Sequence, residues 1–193
     1  GAIDGYVLEN EQVSLTVLSL GGIIQKYIYR GKDIVCGFDT ADEYLESTCY
    51  YGALIGRYCN HLKELTIEGV SYPLTMNEKG KNQLHGGFVG MDKKIWDVEA
   101  KDNALVLTCT AKDGEEGFPG NITVKVTYTL KGTDLVIDDE AVSDKDTLCS
   151  MTNHTYFNLA GEGSGSIIDH KIQIAADRFT VVDNKCIPTG ESR

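Results

Sequence analysis

An all-β, antiparallel fold is predicted by three features of the sequence. Apolar residues alternate with polar ones, short glycine-containing turns separate these runs, and helical periodicity is almost absent. Alternation puts every second side chain on one face of a strand. A strand with one wet and one buried face favours antiparallel pairing over a doubly wound parallel sheet, whose strands are covered on both sides. Strands joined by short turns in this way build a sandwich or a barrel.

In chain order, Val13-Ser14-Leu15-Thr16-Val17 is the first alternating run. Residues 23–29 and Ile34-Val35-Cys36 follow as strands separated by Arg30-Gly31-Lys32-Asp33. Thr40-Ala41-Asp42-Glu43 has the spacing of a capping box, and with Tyr44 and Leu45 it predicts a short helix on a connection. Glu68-Gly69 divides Leu65-Thr66-Ile67 from Val70-Ser71-Tyr72, a tight hairpin in which glycine supplies positive φ. The clearest strand is residues 122–130, where Ile122, Val124, Val126, Tyr128 and Leu130 face one way and Thr and Lys the other. Lys131-Gly132-Thr133-Asp134 then leads into Leu135-Val136-Ile137. No repeat, low-complexity tract or linker divides residues 1–193, which read as a single domain. The end at Arg193 reads either as a cut through that domain or as a loop terminus.

Composition narrows the function classes. The 193 residues carry 18 Lys and Arg against 29 Asp and Glu, a formal net charge of -11. That balance argues against the cationic face that nucleic acid or an anionic membrane surface requires. No apolar run reaches the roughly 20 residues that span a bilayer. The six cysteines fall singly, without CxxC or zinc-ligand spacing. Reduced thiols that behave as small hydrophobes are the simpler reading, and they imply a cytoplasmic location. The 21 glycines against only 3 prolines imply many tight turns.

The histidines are the natural seat of proton chemistry near neutral pH. His85 lies in Gln83-Leu84-His85-Gly86-Gly87-Phe88. It reads either as a ligand-pocket residue, with the glycines leaving open space beside the ring, or as a residue of a surface turn. His154 lies in a strand-like run from Met151 to Gly161 that carries Asn153, Thr155 and Tyr156. Polar groups beside aromatic faces suit the floor of a sugar site, whereas a core histidine bonded to backbone is the plainer alternative. Asn60-His61 reads as facing a polar ligand, with Arg57 available to pair with a carboxylate. His170 reads as a solvated strand end without a role. No HxxxH cluster, GxSxG, GxxxxGK[ST] or GxGxxG occurs, so neither a metal nor a nucleotide cofactor is expected. The acids of Asp113-Gly114-Glu115-Glu116-Gly117-Phe118-Pro119-Gly120 read as a solvated turn.

Six segments together resemble the galactose mutarotase (aldose 1-epimerase) family. They are Tyr51-Gly52-Ala53 with Gly56-Arg57 and Asn60; Asn82-Gln83-Leu84-His85-Gly86-Gly87; Met91-Asp92-Lys93-Lys94-Ile95-Trp96; the turn from Asp113 to Gly120; Thr152-Asn153-His154-Thr155-Tyr156-Phe157-Asn158-Leu159; and Asp177-Arg178-Phe179-Thr180 leading to Ile187-Pro188-Thr189-Gly190. The resemblance implies a large antiparallel β-sandwich and interconversion of the α and β anomers of a free aldose such as galactose or glucose. It places the general acid at His154 and a supporting, sugar-binding role at His85, with Asn60, His61, Thr155 and Tyr156 as further sugar contacts. No cofactor, metal, nucleic acid or membrane is implied.

Two departures from the family pattern bear on these expectations. The family carries Asn-Arg where this chain has Asn60-His61, so a planar, permanently charged fork is replaced by a shorter ring. The family's general-base glutamate and a sugar-binding aspartate are expected beyond the position where this chain stops. The chain therefore reads as C-terminally incomplete and inactive by itself. A non-catalytic carbohydrate-binding sandwich and a hexose-phosphate mutarotase-like protein are the alternatives. The latter should offer convergent Arg or Lys, and no such cluster surrounds His85 or His154 in the sequence.

Overall fold

The computed structural model describes residues 2–193, and antiparallel strands dominate it. In chain order these are β1 (Gly5–Glu9), β2 (Val13–Leu18), β3 (Ile24–Tyr29) and β4 (Lys32–Asp33), then helix α1 (Ala41–Glu46). Five short strands follow: β5 (Leu54–Ile55), β6 (His61–Leu62), β7 (Leu65–Ile67), β8 (Val70–Tyr72) and β9 (Gln83–Leu84). The second half holds β10 (Asp97–Lys101), β11 (Ala104–Ala111), β12 (Ile122–Lys131), β13 (Asp134–Ser143), β14 (Thr152–Asn153), β15 (Thr180–Val182) and β16 (Pro188–Ser192).

Two four-stranded meanders, β1-β2-β3-β4 and β10-β11-β12-β13, carry the core. Along β12 the five residues Ile122, Val124, Val126, Tyr128 and Leu130 are buried, while Thr123 and Lys125 face water. Leu8, Val13, Leu15 and Val17 of the first sheet share one apolar cluster with Leu105, Leu107, Val124, Val126 and Tyr128 of the second. The sheets therefore stack face to face as a sandwich, and each buried Val or Leu contributes about 1.5–3 kcal/mol.

The turns follow the sequence closely, with tighter boundaries than it suggests. Glu68-Gly69 has φ of 48° and 80°, and Arg30-Gly31 has 48° and 78°. Paired positive φ values define a two-residue hairpin whose twist matches its strands. Because two residues suffice, the strand after this turn, β4, is Lys32–Asp33 and not the expected Ile34-Val35-Cys36, and Val35 leaves the sheet to bridge Phe157. Lys131 and Asp134 likewise stay paired around Gly132-Thr133. Helix α1 is closed by the expected capping box: the Thr40 N–H donates to Glu43 Oε2 at 3.0 Å, and the Glu43 N–H donates to Thr40 Oγ1 at 3.5 Å.

Three local expectations are corrected. Only Thr152 and Asn153 of the run around His154 are strand, because β5, their partner, is itself two residues long. His170 lies in a loop without regular structure, where its Nε2 accepts the Leu159 N–H at 3.0 Å. All six cysteines are free, but only Cys109 is buried, while Cys49, Cys149 and Cys186 are exposed.

Arg57 does not pair with a carboxylate. Its side chain is buried, and the guanidinium donates to the carbonyls of Pro119 (2.8 Å), Ala111 (3.1 Å), Lys112 (2.9 Å) and Gly120 (2.7 Å). A further donation reaches Thr147 Oγ1 at 3.3 Å, and the Phe118 ring lies 5.7 Å away. Burial lowers the Arg57 pKa from its ordinary value. Hydrogen bonds from a charged donor are stronger than neutral ones, and a planar fork can serve several carbonyls where an ammonium cannot. Arg57→Leu is expected to lower stability by about 3–5 kcal/mol, read from the urea midpoint, because it strands four carbonyls. Arg57→Lys should recover only part of that loss.

Candidate active site

Two separate ladders deliver His85 and His154 to one place. β14 pairs with β5, Thr152 opposite Ile55 and Asn153 opposite Leu54. Just beyond it, the His154 N–H donates to the Ala53 carbonyl at 2.8 Å, and the Gly52 N–H donates to the His154 carbonyl at 3.2 Å. β6 pairs with β9, placing His61 opposite Leu84 and His85 immediately after the ladder. The imidazoles of His85 and His154 then meet edge to face, with ring centroids 5.1 Å apart. Tyr50 packs against both, at 4.7 Å from His85 and 5.8 Å from His154, and Tyr156 lies 5.0 Å from His154.

The backbone here is strained. Tyr50, Asn60 and His85 have φ of 57°, 75° and 54°, the left-handed region that side chains avoid. Such residues cost about 1–3 kcal/mol each and persist only where the surroundings over-determine them. Gly86 and Gly87 serve this packing rather than leaving the open space that the sequence suggests. A Cβ on Gly86 would meet the Gly56 carbonyl oxygen at 2.0 Å, and one on Gly87 would meet Glu116 Oε2 at 2.0 Å.

Glu116 is itself a correction to the solvated turn. Its carboxylate accepts the N–H groups of Phe88 (3.0 Å) and Val89 (2.9 Å) and the Thr75 hydroxyl, pinning the loop that follows His85. Asp113 ion-pairs with Lys145 at 2.8 Å and also accepts the Gly120 N–H. Glu115 ion-pairs with Lys94.

Hydrogen bonding fixes the tautomer of His85. The Asn60 N–H donates to His85 Nδ1 at 2.9 Å, and the His85 N–H returns a bond to the Asn60 carbonyl at 3.2 Å. Burial, reinforced by the neighbouring rings of His154 and His61, lowers the His85 pKa to about 4. At neutral pH the ring is therefore neutral, with Nδ1 as acceptor and its proton on Nε2, the one nitrogen left to meet a ligand. The His154 ring nitrogens make no hydrogen bond to any described residue and are likewise free.

The other expected residues are distributed around this pair. Asn60 touches it directly through His85, and Tyr156 through His154. His61 adjoins Asn60, with His61 Nδ1 2.7 Å from Asn60 Oδ1. Thr155 stands apart: its hydroxyl donates to Asn153 Oδ1, and it lines a different cavity with Ile24, Tyr27 and Phe157. Sequence reading did not single out Tyr50, Glu78 or Glu116. Tyr50 abuts the Tyr51-Gly52-Ala53 segment, the one local signal that pointed its way. Among the described residues no group of three or more His, Cys, Asp or Glu is placed to hold a metal ion.

Comparison with known proteins gives one answer. The sequence model for aldose 1-epimerase matches residues 4–193. Galactose mutarotase of Sus scrofa is 40% identical across 99% of this chain, and that of Mus musculus is 42% identical across 98%. The chain spans 58% and 57% of the length of those two relatives. A solved aldose epimerase homologue from C. elegans superposes with a TM-score of 0.92 at 30% identity, covering 100% of this chain and 61% of its own.

The state of His85 is directly measurable. A ring-resolved proton and 15N titration should give a midpoint of about 4 and the Nε2–H tautomer at pH 7. A histidine pKa depressed by folding adds stability that is complete above about pH 6.5 and is lost as pH falls toward 4. Asp92, whose pKa burial raises to about 6, acts in the opposite sense, its contribution being lost as pH rises through 6.

Proposed function

Because the chain belongs to the aldose 1-epimerase family, we propose that the whole protein interconverts the α and β anomers of a free aldohexose, such as galactose or glucose, by acid–base ring opening. The paired imidazoles of His85 and His154 carry this reading. Opening a pyranose needs a proton delivered to the ring oxygen while another leaves the anomeric hydroxyl. His154, its ring nitrogens uncommitted, is the acid that protonates the ring oxygen. His85 is neutral and donates from Nε2 to a sugar oxygen without competing for that proton. Rotation about C1–C2 of the open chain exposes the other carbonyl face, and the reverse transfers close the ring. Tyr50 and Tyr156 offer aromatic faces to the C–H surface of the sugar.

No carboxylate among the described residues hydrogen-bonds to either imidazole. In this reading the anomeric proton is taken by a glutamate carried elsewhere in the whole protein, and residues 1–193 alone do not turn over. Three exposed thiols, Cys49, Cys149 and Cys186, support a reducing, cytoplasmic compartment. Among the described residues no helix is long and apolar enough to cross a membrane.

Polarimetry on freshly dissolved α-galactose tests the assignment. In the whole protein His154→Asn should lower the rate by about 10²–10⁴-fold, the usual worth of a positioned acid, and unchanged activity would reject His154 as the acid. Residues 1–193 alone should not accelerate mutarotation above the spontaneous rate.

A further inference from the structure

His61 is held by three contacts, two on one side and one on the other. Its own backbone N–H donates to Asn60 Oδ1 at 3.0 Å, and its Nδ1 lies 2.7 Å from that same oxygen. On the far side its Nε2 lies 3.0 Å from Glu78 Oε2. The backbone donor identifies the Asn60 atom as the carbonyl oxygen, because an amide nitrogen there would oppose two N–H groups. Glu78 also accepts from Asn82 Nδ2 at 3.3 Å, and that bond, together with His61, holds its carboxyl below the usual carboxylate range despite partial burial. Glu78 is thus an ionised acceptor at neutral pH. Both ring nitrogens of His61 face acceptors, and only a ring with two N–H groups satisfies both.

We propose that Glu78 is a positioning residue that holds His61 as a doubly protonated imidazolium, and that His61 in turn fixes Asn60 for its contact with His85. Both donors of the ring are spent within the protein. His61 therefore supplies the site with a fixed positive charge rather than with hydrogen bonds to the sugar, in contrast to a guanidinium with donors to spare. Asn60, clamped through Oδ1, presents the N–H that makes His85 Nδ1 an acceptor, which leaves the Nε2 proton of His85 for the ligand. The relay runs Glu78, His61, Asn60, His85, and every link is a hydrogen bond.

The charges around His61 are mixed. Lys79, Lys81 and Lys185 line the same cavity of about 410 Å³ and oppose a second proton on the ring. Glu78 favours it by direct contact, and Asp183 lies within electrostatic reach. A carboxylate at hydrogen-bond distance outweighs exposed lysines that water screens.

The consequence for sugar affinity rests on the epimerase reading, but the protonation state does not, so the two are tested separately. Ring-resolved 15N spectra of the whole protein at pH 7, without sugar, should show both His61 nitrogens protonated in the wild type and one of them in Glu78→Gln. A singly protonated wild-type ring overturns the proposal, as does a Glu78→Gln ring that keeps both protons. Glu78→Asp, which retains the charge, should keep both protons and guards against a misfolded Gln variant. In the mutarotation assay Glu78→Gln should raise KM for galactose about five- to tenfold, the net worth of one ordinary hydrogen bond, and reduce kcat less than it raises KM. A wild-type protein that shows the spectrum but no mutarotation sinks the epimerase reading and leaves the relay standing.

Discussion

The buried guanidinium of Arg57 is the constraint on which the site rests. Four carbonyls from the end of β11 and the Pro119-Gly120 turn converge on it, so the segment that follows Gly56 has one place to lie. That placement sets the Gly56 carbonyl, which accepts the Met91 N–H at 3.2 Å and closes against Gly86. Three residues further on it sets Asn60, which grips His85. A cation without a carboxylate partner is tolerated in the interior only when preorganised dipoles replace its water, and the carbonyl cage does that.

His154 is tied to the core by a different route. Tyr128, fully buried on β12, donates its hydroxyl to the Gly22 carbonyl at 2.9 Å and accepts from Asn153 Nδ2 at 3.2 Å. Asn153 also donates to the Gly52 carbonyl, so the residue before His154 is anchored both to the sandwich core and to the segment ahead of β5. The two histidines thus hang from independent anchors, one polar and caged, the other suspended from the sheet. Their separation of 5.1 Å is a property of the whole sandwich rather than of either loop. Burial neutralises His85 while the His154 nitrogens stay uncommitted, so two chemically identical rings stand in different states side by side.

Much of this was legible in the sequence because it is local. The alternation of β12, the two-residue hairpin at Glu68-Gly69 and the Thr40–Glu43 capping box each depend on residues within a few positions of one another. His85 and His154 were legible as candidates through their polar and glycine-rich settings. The roles of Gly86, Gly87 and Glu116 were not, because what fills the space beside each glycine comes from residues 30 positions or so away. Glu116 looked like a solvated acid for the same reason: its acceptors are satisfied by Phe88 and Val89, which no local pattern connects to it.

By itself the sequence determined the antiparallel class, the alternation of β12 and the hairpin turns, and six segments spread along it carried the resemblance to the family to which the chain belongs. The class, the alternation and the turns are encoded in the periodicity and chemistry of neighbouring residues, whereas the family is legible only from segments spread along the chain. Only the tertiary structure decided which nitrogen of His85 carries its proton, where Arg57 spends its donors, and that His61 lies between Asn60 and Glu78. The physical reason is that tautomer, charge and hydrogen-bond partner are set by atoms about 3 Å away in space, and in a sandwich those atoms belong to distant stretches of chain.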